Sequence, residues 1–228
     1  MFSVVKSIAL FVAIVVALLA VPLLFMSDDA GKRPAESIAG APWQIEILPD
    51  GTTRVFGLIP GRSTLDDARR QFGPDTQIAL ILAPGETGSV EAFYDKVSAG
   101  SVTGKMILTL ETTVAQRERM LKRARKAEYM ESSTRRVELG EDDLLEAGKA
   151  SIAAIGFIPS ANLDPQIVLQ RFGTPAERLR SSEQTEHFLY PDKGLDLRLD
   201  TKGRELLQYV APREFPRLRD PLVAAATK

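Results

Sequence analysis

Histidine is the side chain best suited to moving protons near neutral pH, and this chain has one, His187. A lone imidazole excludes a histidine pair or a multi-histidine metal site. In a short apolar strand it reads as a packing or surface residue rather than a general base. Cysteine is absent, which removes thiolate nucleophiles, thiolate-held zinc or iron–sulfur clusters, disulfides and a lipidated N-terminal cysteine. Carboxylates gather at Asp66-Asp67 and at Glu141-Asp142-Asp143. Each group opens a helical pattern, where negative charge complements the helix dipole, so capping accounts for it more cheaply than acid–base catalysis or metal binding. Pro84-Gly85-Glu86-Thr87-Gly88 lacks the Lys-Ser/Thr ending of a phosphate loop and reads as a connection. There is no G-x-S-x-G elbow, no H-E-x-x-H and no dinucleotide fingerprint. These observations predict no catalytic, cofactor-binding or metal-binding residues and no cofactor.

One charge pattern stands apart. Arg117, Arg119, Lys122, Arg123, Arg125 and Lys126 follow one another with a single acid, Glu118, among them. On a helix expected from Val114 to about Tyr129, such a run could meet anionic lipid or an acidic protein. The plainer alternative is a solvated face, with Val114, Leu121, Ala124 and the Lys and Arg stems covering the core. These six cations are the candidate partner or lipid contacts. Net charge is -1 over 228 residues, so no overall field gathers nucleic acid, and none is expected as a partner.

The elements that must position these groups repeat. Gly57-Leu58-Ile59-Pro60 leads to Phe72-Gly73-Pro74, and Gly156-Phe157-Ile158-Pro159 leads to Phe172-Gly173-Thr174-Pro175, which indicates a duplicated module. In the first copy Thr64 can cap a short helix with Asp67 three residues on, and Gly73 can end it. In the second, Asp164 takes the cap, Pro165 the first helical position and Gly173 the stop. An antiparallel meander follows in copy two, at His187 to Tyr190, Leu195 to Asp200 and Leu206 to Val210, and Gln77 to Leu82, Val90 to Tyr94 and Met106 to Glu111 answer it in copy one. Ahead of copy one, Trp43 to Phe56 reads as a hairpin around Asp50-Gly51. Between the copies come the Val114 helix, a strand at Thr134 to Leu139, a helix at Asp142 to Ala147 closed by Gly148, and a strand at Ser151 to Ile158. After Val210 the tail, with Pro212, Pro216 and Pro221, reads as extended or frayed.

Ser7 to Met26 carries no charge, and as a helix its twenty residues would span about 30 Å, the thickness of a bilayer core. No small-residue cleavage site follows closely, so it reads as an uncleaved anchor. The expected fold class is α+β: one transmembrane helix, then two pseudo-repeated helix-plus-antiparallel-sheet modules. The expected divisions are an anchor at 1–27, a linker at 28–41, modules at 42–140 and 141–212, and a tail at 213–228. A short N-terminal tail ahead of a long domain predicts an inner-membrane protein with its N-terminus cytoplasmic and its C-terminal domain periplasmic.

A capped short helix ending in Phe-Gly-x-Pro, an aromatic strand and a Leu-x-Leu-x-Leu strand with a glycine turn resemble the SmpA/OmlA small outer-membrane lipoproteins of the β-barrel assembly machinery. Leu169 to Pro175, Phe188 to Tyr190, Leu195 to Leu199 and Gly203 carry the resemblance, with a weaker echo at Gln71 to Pro74 and Met106 to Leu110. It covers about a third of the chain, which departs from that family in having no lipidated cysteine, an apolar N-terminal segment and two copies. The resemblance implies modules that make protein–protein contacts in a bacterial envelope. The expected function is protein binding or scaffolding in envelope assembly, or service as an accessory subunit of a membrane complex, without catalysis. The alternative is a ligand receptor or enzyme with a pocket between the modules, where His187, Tyr190 and acidic residues could meet.

Overall fold

From Gln77 onward, alternating stretches such as Leu195–Asp200 and short apolar runs such as that of residues 78–82 fold into strands. The computed structural model describes residues 40–124, 126–130 and 133–226. Strands β1 (Glu46–Ile47) and β2 (Thr53–Arg54) form a small separate hairpin. The others are β3 (Gln77–Leu82), β4 (Ser89–Ala99), β5 (Val102–Leu110), β6 (Lys126–Tyr129), β7 (Arg135–Glu138), β8 (Ile152–Pro159), β9 (Glu177–Arg180), β10 (Thr185–Tyr190), β11 (Leu195–Asp200) and β12 (Leu206–Val210). These ten make one antiparallel sheet in the order β6-β7-β3-β4-β5-β8-β12-β11-β10-β9. Among the described residues five α-helices accompany it: α1 (Leu65–Phe72), α2 (Val114–Lys122), α3 (Glu141–Lys149), α4 (Pro165–Phe172) and α5 (Pro216–Ala226).

This architecture corrects the expected fold class. In place of a transmembrane helix followed by two packed α+β modules, the described chain is mostly sheet, and its two halves share that sheet. Taken as the strand sets β3-β4-β5-β8 and β12-β11-β10-β9 on either side of the sheet's centre, separate halves would leave β8 and β12 as bare edges with unpaired backbone groups. Instead the two strands pair with each other, Phe157 opposite Leu207 and Ile155 opposite Tyr209. No helix among the described residues is long and apolar enough to cross a membrane, so the structure gives the expected membrane-spanning character no support. The Ser7 to Met26 segment itself lies outside the described residues.

The repeated phrase also divides on folding. Gly57-Leu58-Ile59-Pro60 belongs to a tight turn in which Val55 and Leu58 bond each other and Phe56 and Gly57 take positive φ. Its second occurrence, Gly156 to Pro159, is strand β8. The halves share what comes next. α1 is closed by a capping box between Thr64 and Asp67, α4 by Asp164 accepting from the Ile167 N–H, and each ends at a glycine of positive φ, Gly73 or Gly173. The preceding Phe of each packs on a strand tyrosine, Phe72 on Tyr94 at 5.7 Å and Phe172 on Tyr190 at 6.2 Å between ring centroids. Each tyrosine hydroxyl then donates to the carbonyl of that glycine, Tyr190 to Gly173 at 2.9 Å and Tyr94 to Gly73 at 3.5 Å.

One face of the sheet carries the main core. Leu80, Ala92, Leu108, Phe157, Phe188, Leu197 and Tyr209 pack there with Leu65 and Ala68 of α1, Met120 of α2, Ala147 of α3, and Val168 and Phe172 of α4. The opposite face is used as well. Phe215, Leu218 and Leu222 bring α5 onto Leu189 and Val210. That helix replaces the expected frayed tail, since Pro216 sits at its first position, where no N–H is needed, and the apolar spacing beyond it is helical. The helix expected as far as Tyr129 stops at Lys122. From Lys126 the chain pairs with β7, Ala127 opposite Val137, and this long-range pairing overrides local helix propensity.

Candidate functional site

The six cations of the basic run do not form one surface. Arg117 is drawn inward, its guanidinium donating to the Thr87 carbonyl at 3.1 Å, the Thr87 hydroxyl at 3.2 Å and the Thr112 hydroxyl at 3.1 Å. Arg119 pairs with Glu146 at 3.3 Å, and Arg123 with the buried Asp143 at 3.3 Å, so α2 is tied to α3 by two ion pairs. Gln116 strengthens the tie, donating to Glu146 at 2.7 Å. Lys126 lies in β6 and pairs with Glu128 at 2.5 Å. Lys122 is exposed at the end of α2, and Arg125 lies outside the described residues. The run serves chiefly to lock two helices together.

The carboxylate clusters act as caps and ion-pair partners. Asp67 accepts from the Thr64 N–H at 2.7 Å, and that bond, with the Thr64 hydroxyl, holds its carboxyl below the usual range. Asp66 pairs with Arg69 at 3.2 Å. Among the described residues no group of three or more His, Cys, Asp or Glu could hold a metal ion.

His187 and Tyr190 do not meet. They lie on opposite faces of β10, Tyr190 directed to Gly173 and His187 to the face that carries α5. Between the halves, Ile155, Phe157, Leu207 and Tyr209 are all buried and fill the junction.

His187 gathers a different set of groups. It pairs across β10 and β11 with Arg198 and across β9 and β10 with Leu179, which puts Asp196 and Ser181 on its own face as diagonal neighbours. Its Nδ1 stands 3.0 Å from both carboxylate oxygens of Asp196, and its Nε2 stands 3.1 Å from Ser181 Oγ. A carboxylate accepts only, so Nδ1 carries a proton, and in the neutral imidazole Nε2 then presents a lone pair to the Ser181 hydroxyl. Asp196 is 0% exposed, His187 5%, and Ser181 lies open in the β9–β10 hairpin. An acid orients an imidazole, which faces a hydroxyl. The corresponding position of β4, three residues before its tyrosine as His187 is before Tyr190, holds Glu91. Glu91 is also buried; it accepts from Ser89 at 2.7 Å, and burial pushes its carboxyl up to about 7.

Sequence reasoning passed over Ser181 and Asp196. The available signal was the turn after Tyr190. Gly194 there takes the left-handed conformation and fixes Tyr190 opposite Leu195, which carries Asp196 to within one diagonal step of His187. Comparison of the chain with protein-family models, with curated proteins and with solved structures finds no match.

Proposed function

We propose that this protein works by binding a protein partner through the segment inserted between β5 and β8. The observation that carries the reading is an asymmetry between the halves. In the second half a short turn joins β11 directly to β12, whereas in the first half α2, β6, β7 and α3 stand between β5 and its neighbour β8. The insertion is not needed to complete the meander. It carries three of the large apolar side chains left exposed among the described residues: Tyr129 at 77%, Leu145 at 69% and Val114 at 45%. Large apolar and aromatic side chains held on a rigid surface are what protein interfaces use as anchors. The two α2–α3 ion pairs hold the helices that carry Val114 and Leu145, and pairing with β7 holds Tyr129.

Lys122, exposed at the end of α2, adds a positive charge to the segment, so the fitting partner presents apolar groups with an acid among them. The resemblance to small envelope lipoproteins that make protein contacts supports a partner in a bacterial envelope assembly. The reading requires no reaction. Its test is co-purification through a C-terminal tag, comparing the native chain with a Tyr129→Asp, Leu145→Asp variant. Loss of a stoichiometric partner in the variant, with unchanged circular dichroism, is expected; full retention would refute the assignment.

A further inference from the structure

We propose that Ser181, His187 and Asp196 form a nucleophile–base–orienter array that hydrolyses short-chain carboxylic esters. The inference goes beyond the binding reading and does not rest on it. The distances are 3.1 Å from Ser181 Oγ to His187 Nε2 and 3.0 Å from His187 Nδ1 to each oxygen of Asp196. Both lie within the hydrogen-bond reach such an array needs. Burial is graded along it, from the enclosed acid through the nearly enclosed imidazole to the open hydroxyl. That grading holds the base in one tautomer and leaves the nucleophile accessible.

A purely structural buried Asp–His pair would not need the third member. Ser181 is exposed and water could satisfy its hydroxyl, yet its Oγ lies at bonding distance from the imidazole nitrogen that Asp196 leaves free. Rigid strands supply two of the three groups: β10 holds His187 and β11 holds Asp196. Ser181 follows β9 directly, and its own N–H donates to the Thr185 carbonyl at 3.2 Å, which fixes the hairpin. Arg198, buried beside His187, has no acceptor for its Nε. It sets a positive charge near Asp196.

The reaction balances with water alone. Ser181 Oγ adds to the ester carbonyl carbon while its proton passes to His187 Nε2. The tetrahedral species collapses, the bond to the alkoxy oxygen breaks, and His187 returns the proton to the departing alcohol. Water then adds to the acyl-Ser181 carbonyl with His187 again taking the proton. Release of the carboxylic acid restores the hydroxyl. Ser182, Glu183 and Gln184 around the nucleophile are all exposed, so the hairpin itself offers no apolar side chain to hold a long acyl chain. Short acyl groups follow as the substrate class.

The test uses the full chain and a fluorophosphonate probe, which forms an Oγ–P bond and expels fluoride. Peptide mass spectrometry should place the label on Ser181. Ser181→Ala should abolish it, and His187→Gln and Asp196→Asn should slow it at least about tenfold, with parallel losses in hydrolysis of p-nitrophenyl acetate. Should either strand variant fail to fold, the native chain and Ser181→Ala decide alone, since position 181 is exposed. No label on the native chain, or equal labelling of Ser181→Ala, overturns the proposal. Because Ser181 lies outside the inserted segment, Ser181→Ala should still capture the partner, so failure of either proposal is read separately.

Discussion

Tyr190 shows how single side chains hold the repeated unit together. Its hydroxyl donates to the Gly173 carbonyl at 2.9 Å, and burial pushes the phenol up to about 12, so it remains a donor at any physiological pH. Tyr190→Phe strands a carbonyl at the helix end and should cost about 1 kcal/mol in urea denaturation. Tyr94→Phe, whose bond is 3.5 Å long, should cost less than about half of that. Glu91 gives a prediction in pH. Its carboxyl titrates near 4.5 when unfolded and near 7 when buried. Below about 4.5 both states hold the proton, and between the two values only the folded state does. Stability therefore falls as pH rises through that window, by about 3 kcal/mol in all. Glu91→Gln keeps the acceptor for Ser89 and should raise the melting temperature at pH 8 while leaving it nearly unchanged at pH 4; an equal effect at both would contradict the buried carboxylate. Little of this was legible in the sequence. The aromatic strands were readable as pattern, but the glycine carbonyls that receive the tyrosines lie 17 and 21 residues away, and residue types carry no signal for such a bond.

At the scale of elements, local chemistry was readable and long-range pairing was not. Thr64 with Asp67 and Asp164 with Pro165 announce the starts of α1 and α4 because caps act within four residues. The end of α2 depends on β7, a partner more than ten residues ahead, so the run of helix-forming residues into β6 misled. The four residues of β9, Glu177-Arg178-Leu179-Arg180, carry no strand expectation, because an edge strand needs only one apolar side chain on its inner face. In the tail, three prolines concealed the helical spacing of Phe215, Leu218 and Leu222. Leu218 is buried against the sheet through α5, and Leu218→Ala should destabilise the protein by about 2–4 kcal/mol. A frayed tail would give no change in the denaturation midpoint.

For the whole molecule, the consequence of one sheet is one cooperative unit. The pattern of each half was visible, but the pairing of β8 with β12 was not, because an edge strand and a central strand of the same alternation look alike. Trp43 reports on the union. It precedes the first half in sequence yet packs on Phe172 of α4 in the second, ring to ring at 6.3 Å, with the Arg171 guanidinium over it at 4.8 Å. Unfolding followed by Trp43 fluorescence and by far-ultraviolet circular dichroism should therefore give coincident single transitions, where two independent modules would separate them. Fusing the halves buries both of their inner edges, and the segment between β5 and β8 is then the part of the fold with side chains to spare. The most direct measurement is the paired co-purification of the tagged native chain and its Tyr129→Asp, Leu145→Asp variant under identical conditions. A stoichiometric partner on the native chain that is lost from the folded variant is the predicted result. A partner retained equally by both would contradict it.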